Sequence, residues 1–385
     1  MTKRKVCVVV TARPSYSRIK SALHAIDSHP HLELQLVAAA SALLENYGRV
    51  VNTMEQDGFE VRERVFSIIE GENLVTSAKS TGLALVELAT VFDHLEPDVV
   101  ITIADRFETI ATSIAAAYMN IPLAHIQGGE ITGSIDEKVR HANTKFADTH
   151  FVSTPKAAER VIRMGENPQN VHVTGCPSID LAKQVFDEPH LNFDPFAKYG
   201  GVGEEFDYQH GYLVVMQHPV TTEYDCARWQ VTQTLIAIKE LGIPTFWFWP
   251  NVDAGSDGTS QGIRAFRENE HPENIRFFKN MLPEDFLRLI HNSRAIVGNS
   301  SVAIRECSFL GVPAVNIGSR EQGRERGINV IDVEHDSHAI TAALQQHLAN
   351  GRYASDHLYG DGMAGKRIAD LLATQPLAFE KRLMY

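Results

Sequence analysis

Arginines, serines, carboxylates and a histidine recur just after short apolar runs, a spacing that suits binding of a phosphorylated ligand followed by proton transfer. Residues 11–17, Thr-Ala-Arg-Pro-Ser-Tyr-Ser, follow the first run and lead into a helix. Arg13 and Ser17 there suit an anion, because the amides of a helix N-terminus are unpaired donors. The competing structural reading makes Ser15 a helix cap and Arg13 a surface residue. Asp105 and Arg106 follow the run 99–103, as either an ion pair or an acid–base group with its charge neighbour. Glu130 comes after two glycines that let backbone or ligand approach closely, and Asp136 lies just beyond in a predicted first helical turn. Stabilisation of the helix dipole would explain Asp136 by itself. It does not explain Glu130.

The second half repeats the pattern. His218 follows the run 212–216, and Asn251 lies in a polar, glycine-bearing exit after 245–249. Residues 295–306, Ala-Ile-Val-Gly-Asn-Ser-Ser-Val-Ala-Ile-Arg-Glu, read as a strand ending at Gly298, with Ser300 and Ser301 opening a helix toward a pyrophosphate. Glu306 would then stand about 7.5 Å further along that helix, a separation suited to ribose hydroxyls. Arg320, Arg324 and Arg326 follow the run 314–317, and the glycines among them favour a phosphate clamp over a plain surface charge run.

The elements that must position these groups alternate. Strand-like runs at 6–10, 34–38, 99–103, 123–126, 149–152 and 171–173 are separated by helical patterns at 17–26, 74–92, 109–119, 137–146 and 157–164. Strands apolar on both faces imply a parallel sheet covered by helices on each side. The rhythm stops at 187–211, rich in Pro and Gly, and restarts with runs at 212–216, 245–249, 275–278, 295–297 and 314–317. The expectation is an α/β protein of two doubly wound Rossmann-like domains facing a cleft: 1–186, carrying most acid–base groups; a connection, 187–211; and 212–360, binding the nucleotide. A final helix within 361–385 would pack back on the first domain.

The 385 residues suffice for two such cores, and 44% hydrophobic with 22% charged residues excludes a disordered chain. With 36 Lys and Arg against 48 Asp and Glu, the net charge of −12 argues against nucleic-acid or acidic-membrane partners. An anionic ligand must therefore be held by local arginines. Cys7, Cys176, Cys226 and Cys307 are too dispersed for a metal or redox motif and read as reduced structural thiols. No metal site and no cofactor are expected. The short apolar core after the basic N-terminus does not make a signal peptide, and the uncharged stretch 109–129 reads as helix, turn and strand. A cytoplasmic protein without a membrane segment is expected.

These segments, in their order and number, resemble the UDP-N-acetylglucosamine 2-epimerase family, in its hydrolysing branch. The resemblance runs through Ala-Arg-Pro-Ser-Tyr-Ser, Asp-Arg-Phe-Glu at 105–108, residues 125–141, Gly-Cys-Pro-Ser at 175–178, Asn-Val-Asp-Ala-Gly at 251–255, Gly-Asn-Ser-Ser at 298–301 and 318–324. It implies the glycosyltransferase-B fold and conversion of UDP-N-acetylglucosamine with water into UDP and N-acetylmannosamine, a precursor of sialic-acid-type sugars. Carried over, the nucleotide site falls on Arg13, Ser17, Arg106, His218, Asn251, Ser300, Ser301, Glu306 and Arg320, with backbone at Asn280 and Met281 meeting the uracil. Asp105, Glu130 and Asp136 become the acid–base groups, and His218 lies near the leaving diphosphate. Which carboxylate abstracts and which donates stays open. Gln127 departs from relatives that carry Glu there, so a carboxylate needed nearby must come from Glu130. The resemblance also implies a homodimer or homotetramer. Its alternatives are the same reaction on a UDP- or GDP-linked 2,4-diacetamido-2,4,6-trideoxy sugar, or a glycosyltransferase of the same fold; a non-catalytic sensor would need none of the acids.

Overall fold

Runs such as Val-Cys-Val-Val-Val and Val-Val-Ile-Thr-Ile have no wet face, so each becomes an inner strand of a parallel sheet with helices on both sides. The computed structural model describes all residues except 1, 46–47, 71–73, 105, 133–134, 221, 251–254 and 385. The chain forms two units. Unit 1 comprises Met1–Glu130, Ile135–Asp180 and Tyr359–Tyr385; unit 2 comprises Ile131–Ser134 and Leu181–Leu358.

Unit 1 runs β1 (Arg4–Val10), α1 (Arg13–Asp27), β2 (Leu32–Ala39), α2 (Val50–Gln56), β3 (Val61–Val65), α3 (Leu74–Leu95), β4 (Val99–Ile103) and α4 (Thr109–Tyr118). It continues through β5 (Leu123–Ile126), α5 (Ile135–Phe146), β6 (Thr149–Val152), α6 (Pro155–Arg163) and β7 (Val171–Val173). Its seven strands are parallel in the order β3-β2-β1-β4-β5-β6-β7. Strand order reverses between β1 and β4, and the crevice beyond the carboxyl ends at such a reversal is where doubly wound sheets take ligands. By length and composition α3 could cross a membrane. Here it lies on the sheet instead: its Ala84, Leu88, Val91 and Phe92 are buried with Cys7, Val9 and Val100.

α7 (Pro177–Asp187) leads from unit 1 into unit 2, which contains α8 (Pro195–Tyr199), β8 (Leu213–Met216), α9 (Ala227–Leu241), β9 (Thr245–Phe248), α10 (Ser256–Glu270) and β10 (Ile275–Phe278). Then follow α11 (Pro283–His291), β11 (Ala295–Gly298), α12 (Glu306–Leu310), β12 (Ala314–Ile317), β13 (Val330–Val333) and α13 (Ser337–Asn350). The six strands are parallel in the order β10-β9-β8-β11-β12-β13, with the reversal between β8 and β11. α14 (Ala364–Thr374) belongs to unit 1, where Ile368, Ala369 and Leu372 join the core beneath α1. Asp180 fixes its start, accepting the amides of Ala364 at 2.9 Å and Gly365 at 2.7 Å.

Two strands, β3 and β13, were not expected. Both are sheet edges, and their sequences Val-Arg-Glu-Arg-Val and Val-Ile-Asp-Val carry charges that an edge tolerates. Residues 187–211 do more than connect. Asp194 caps α8, Phe196 stacks on Phe246 with centroids 5.6 Å apart, and Val202 pairs with Phe277. Cys7, Cys176 and Cys307 are free and buried; Cys226 is free but exposed, so it is not the structural thiol the sequence suggested.

Candidate functional site

In unit 1 the predicted groups stand at the carboxyl ends of neighbouring strands. Arg13 is the first residue of α1, directly beyond β1. Its guanidinium has no hydrogen bond or ion pair among the described residues, and burial pushes its pKa down to about 10. It therefore remains charged at neutral pH, a buried cation that an anion would stabilise. The capping reading of Ser15 fails: Ala12 holds the cap position, and Ser15 is buried inside the helix. Ser17 donates to the Arg13 carbonyl at 3.2 Å. Asp105 lies outside the described residues, but both its neighbours are pinned. Ala104 has a left-handed backbone (φ 56°), and its carbonyl accepts from His125 Nε2 at 3.0 Å. That bond requires the proton on Nε2, leaving Nδ1 to accept from Thr144 Oγ1 at 3.1 Å. Burial drives His125 to a pKa of about 3, so it is neutral. On the other side, Thr109 holds the Arg106 carbonyl through its amide and hydroxyl, and Arg106 Nε donates to buried Glu108 at 2.8 Å.

Glu130 stands beyond β5, buried, accepting from Ser153 Oγ at 2.8 Å. Its turn is tightly seated. Gly129 has φ 74°, and a Cβ there would come 2.2 Å from the Ala157 carbonyl oxygen. Arg160 donates to the Gly129 carbonyl and fully buried Arg140 to the Glu130 carbonyl, both at 3.1 Å. Asp136 occupies the first turn of α5 as expected. Beside it, Glu137 is engaged by His141 at 2.8 Å. Gln127, also left-handed (φ 65°), donates to Cys176 Sγ at 2.9 Å.

In unit 2 the groups flank the reversal between β8 and β11. Gly298 ends β11 at φ 136°, where a Cβ would sit 2.0 Å from the Met216 carbonyl oxygen, so only glycine fits. Asn299 then ties the two exits together: its Oδ1 accepts from the His218 amide at 2.7 Å, and its Nδ2 donates to the His218 carbonyl at 2.8 Å. The expected single helix from Ser300 to Glu306 is broken. Ser301–Ala303 form a 3₁₀ turn and α12 starts only at Glu306, while the Arg305 guanidinium donates back to Ser301 Oγ at 2.9 Å. Glu306 is buried, and its Oε2 has no hydrogen-bond partner among the described residues, lying 3.9 Å from Arg305 Nε. Such an oxygen accepts from hydroxyl donors. Arg320 Nη1 donates to the Asn299 carbonyl at 3.1 Å and to Glu321 at 2.8 Å. The three-arginine clamp does not form: Arg324 pairs with Glu321 at 2.7 Å, and Arg326 forks onto Asp332 at 2.6 and 2.8 Å. Asn280 and Met281 lie on the loop after β10, which Tyr199 steadies by accepting the Leu282 amide at 3.2 Å. Asn251 lies outside the described residues.

The family model for UDP-N-acetylglucosamine 2-epimerase matches residues 24–373. The chain belongs to this family. It is a UDP-sugar 2-epimerase by that membership. It is 31% identical over 374 residues to a UDP-N,N'-diacetylbacillosamine 2-epimerase (hydrolyzing) of Legionella pneumophila, covering 97% of each chain. It is 28% identical to a UDP-N-acetylglucosamine 2-epimerase of Neisseria meningitidis, covering 94% of this chain and 91% of that one. Among solved structures, the Methanocaldococcus jannaschii UDP-GlcNAc 2-epimerase in complex with UDP-GlcNAc and UDP superposes with a TM-score of 0.79 at 18% identity, covering 96% and 99% of the two chains. That likeness carries the fold, two doubly wound Rossmann-like units of the glycosyltransferase-B class.

Several groups that fix the candidate site residues were not singled out from the sequence: Ser153, Arg140, Arg160, His125 and Asn299. They act on backbone carbonyls or on one carboxylate from distant positions, and no local spacing signals that. Asn299 alone left a trace, as a side-chain amide right after a strand-ending glycine.

Proposed function

We propose that the chain is a hydrolysing 2-epimerase that converts UDP-N-acetylglucosamine and water into N-acetylmannosamine and UDP. The observation that carries this is Glu130: a buried carboxylate at a strand exit, fixed by a glycine turn and hydrogen-bonded through Ser153. A carboxylate buried at a strand exit, beyond two glycines that bring a ligand close, is well placed for proton transfer. Unit 2 holds the nucleotide in this reading. Ser300, Ser301, His218 and Arg320 meet the diphosphate, Glu306 accepts from ribose hydroxyls, and the backbone at Asn280 and Met281 with Asn251 meets the uridine. Arg13, Ser17 and Arg106 add donors from unit 1. As the C1–O bond breaks, the electron pair leaves with UDP, and a carboxylate takes the C2 proton to give a 2-acetamidoglucal. A proton returns to C2 on the opposite face and water adds its oxygen to C1. Asp105, Glu130 and Asp136 supply the acid–base groups for the two faces. No cofactor enters this balance.

A second reading, the same reaction on a UDP- or GDP-linked 2,4-diacetamido-2,4,6-trideoxy sugar, is favoured by the name of the 31%-identical Legionella relative. Both sugars are incubated with the enzyme in deuterated water. The proposal expects free N-acetylmannosamine carrying one deuterium at C2, together with UDP. Release from the trideoxy sugar alone would transfer the assignment to the second reading. Accumulation of UDP-N-acetylmannosamine, or no release without an acceptor sugar, would overturn hydrolysis. We also propose a homo-oligomer, supported by the exposed Leu74, Val75 and Val86 on α3.

A further inference from the structure

The segment 375–384 follows α14 and carries Lys381, whose ammonium is mostly enclosed by unit 1. It donates to the Thr144 carbonyl at 3.1 Å and to the Ala147 carbonyl, both from the last turn of α5 and its exit, and pairs with Glu166 at 2.6 Å. Nearby, the Met384 amide donates to the Gly165 carbonyl at 3.0 Å. Glu166 also accepts from Lys145 at 2.5 Å and His150 at 3.2 Å, and Lys145 bonds the Met164 carbonyl at 3.0 Å. The carbonyls at a helix C-terminus lack intrahelical partners, and a cation there favours the dipole.

What sets this clamp apart from an ordinary buried ion pair is the helix it grips. α5 carries Asp136 in its first turn, holds the Glu130 carbonyl through Arg140, and through Thr144 orients His125 beneath Ala104. Asn143 of the same helix donates to Thr109 Oγ1 at 2.8 Å and accepts from Ser113 at 2.8 Å. A helix is stiff along its axis, so a shift allowed at its last turn moves its first. We propose that Lys381 is a positioning residue for the acid–base groups, acting through the C-terminal end of α5; the reaction named here rests on the function proposed above. The segment 375–384 is then a strap that holds the catalytic end of unit 1 in register.

Hydrogen exchange and steady-state kinetics on the full chain test this. In Lys381→Met, exchange should quicken through 127–140 while the strands of unit 2 exchange as in the wild type. A misplacement of this kind should lower kcat by about tenfold with KM for the nucleotide sugar within about twofold. Lys381→Arg, which can still reach both carbonyls and Glu166, should restore both readouts. Faster exchange confined to 144–150 and 375–384, an unchanged kcat, or an arginine variant no better than methionine would each overturn the positioning role. If Lys381→Met does not fold, Lys381→Gln is read in its place, and failure of both to fold makes the residue structural and sinks the proposal. Lack of UDP release by the wild type from any nucleotide sugar would count against the functional reading alone, since the exchange pattern decides the strap independently.

Discussion

A buried guanidinium with no ion pair among the described residues, as at Arg13, costs stability in the empty protein and returns it when an anion arrives. Arg13→Leu should therefore raise the melting temperature without ligand while abolishing most of the rise that UDP gives the wild type. A charged hydrogen bond is worth about 1.5–3 kcal/mol, which corresponds to roughly 10- to 100-fold weaker UDP binding by calorimetry. A variant that binds UDP normally would remove Arg13 from the nucleotide site. Glu130→Gln has the opposite signature. Its amide keeps the Ser153 contact but cannot take a proton, so UDP release should fall at least about 10²-fold with UDP affinity near that of the wild type. Retained turnover would assign the chemistry to Asp105 and Asp136. The residues proposed to meet the ligand were legible in the sequence because strand exits are written locally: an apolar run, then a glycine, then Arg, Ser or Glu. Those that aim them were not. Arg140 and Ser153 reach Glu130, and Arg160 the Gly129 carbonyl, from other elements, and His125 looks like part of its strand until its two nitrogens are traced to Ala104 and Thr144.

Inner strands and long helices were legible too, because burial on both faces leaves an uninterrupted apolar signature, whereas the edge strands β3 and β13 are charged and short enough to pass for loops. The 3₁₀ turn before Glu306 was hidden for a different reason: 3₁₀ and α-helix share nearly the same local residue preferences, so the sequence reads as one helix. Asp180 shows what one distant side chain does for an element. It is buried, which raises its pKa, and it supplies the start of α14, whose Met363 cap position offers no side-chain bond. Asp180→Ala should cost about 1–2 kcal/mol of stability in denaturant titrations. A change below a few tenths would mean that α14 is held by packing alone. The seam under α5 has its own pH dependence. His125 is held neutral with a pKa of about 3 against an ordinary 6.5, so the unfolded chain binds its proton first and stability falls as pH drops from 6.5 toward 3. For Glu166 burial alone would raise the pKa, but hydrogen bonds from His150, Lys145 and Lys381 hold it down to about 2 against an ordinary 4.5. Its contribution is complete above pH 4.5 and lost as pH falls through 2. Denaturation midpoints should therefore decline steadily from pH 7 to pH 4, and His125→Gln, which can still donate to Ala104, should flatten the upper part of that decline. An unchanged slope would show that other histidines carry it.

At the level of the whole molecule, the charge of −12 coexists with cationic groups at particular strand ends, so the overall field excludes polyanions without forbidding a single diphosphate. If copies associate through α3, Val86→Lys should reduce the mass measured by light scattering to that of one chain. An unchanged mass would place the contact elsewhere. The division of the chain has a consequence for how the protein is made. Unit 1 begins with residue 1 yet is finished by α14, whose Gly365 lies so close to Ser21 of α1 that a Cβ would come 2.7 Å from its carbonyl. Residues 181–358 are synthesised in between, which takes about 10–40 s at ~5–20 residues per second. Through that interval the first-made half of the protein leaves the ribosome with an apolar face of α1 uncovered, while unit 2, nearly contiguous in sequence, has everything it needs to fold. Completion of the unit 1 core thus waits for α14, and the nascent chain's exposure to chaperones is written into the position of that helix.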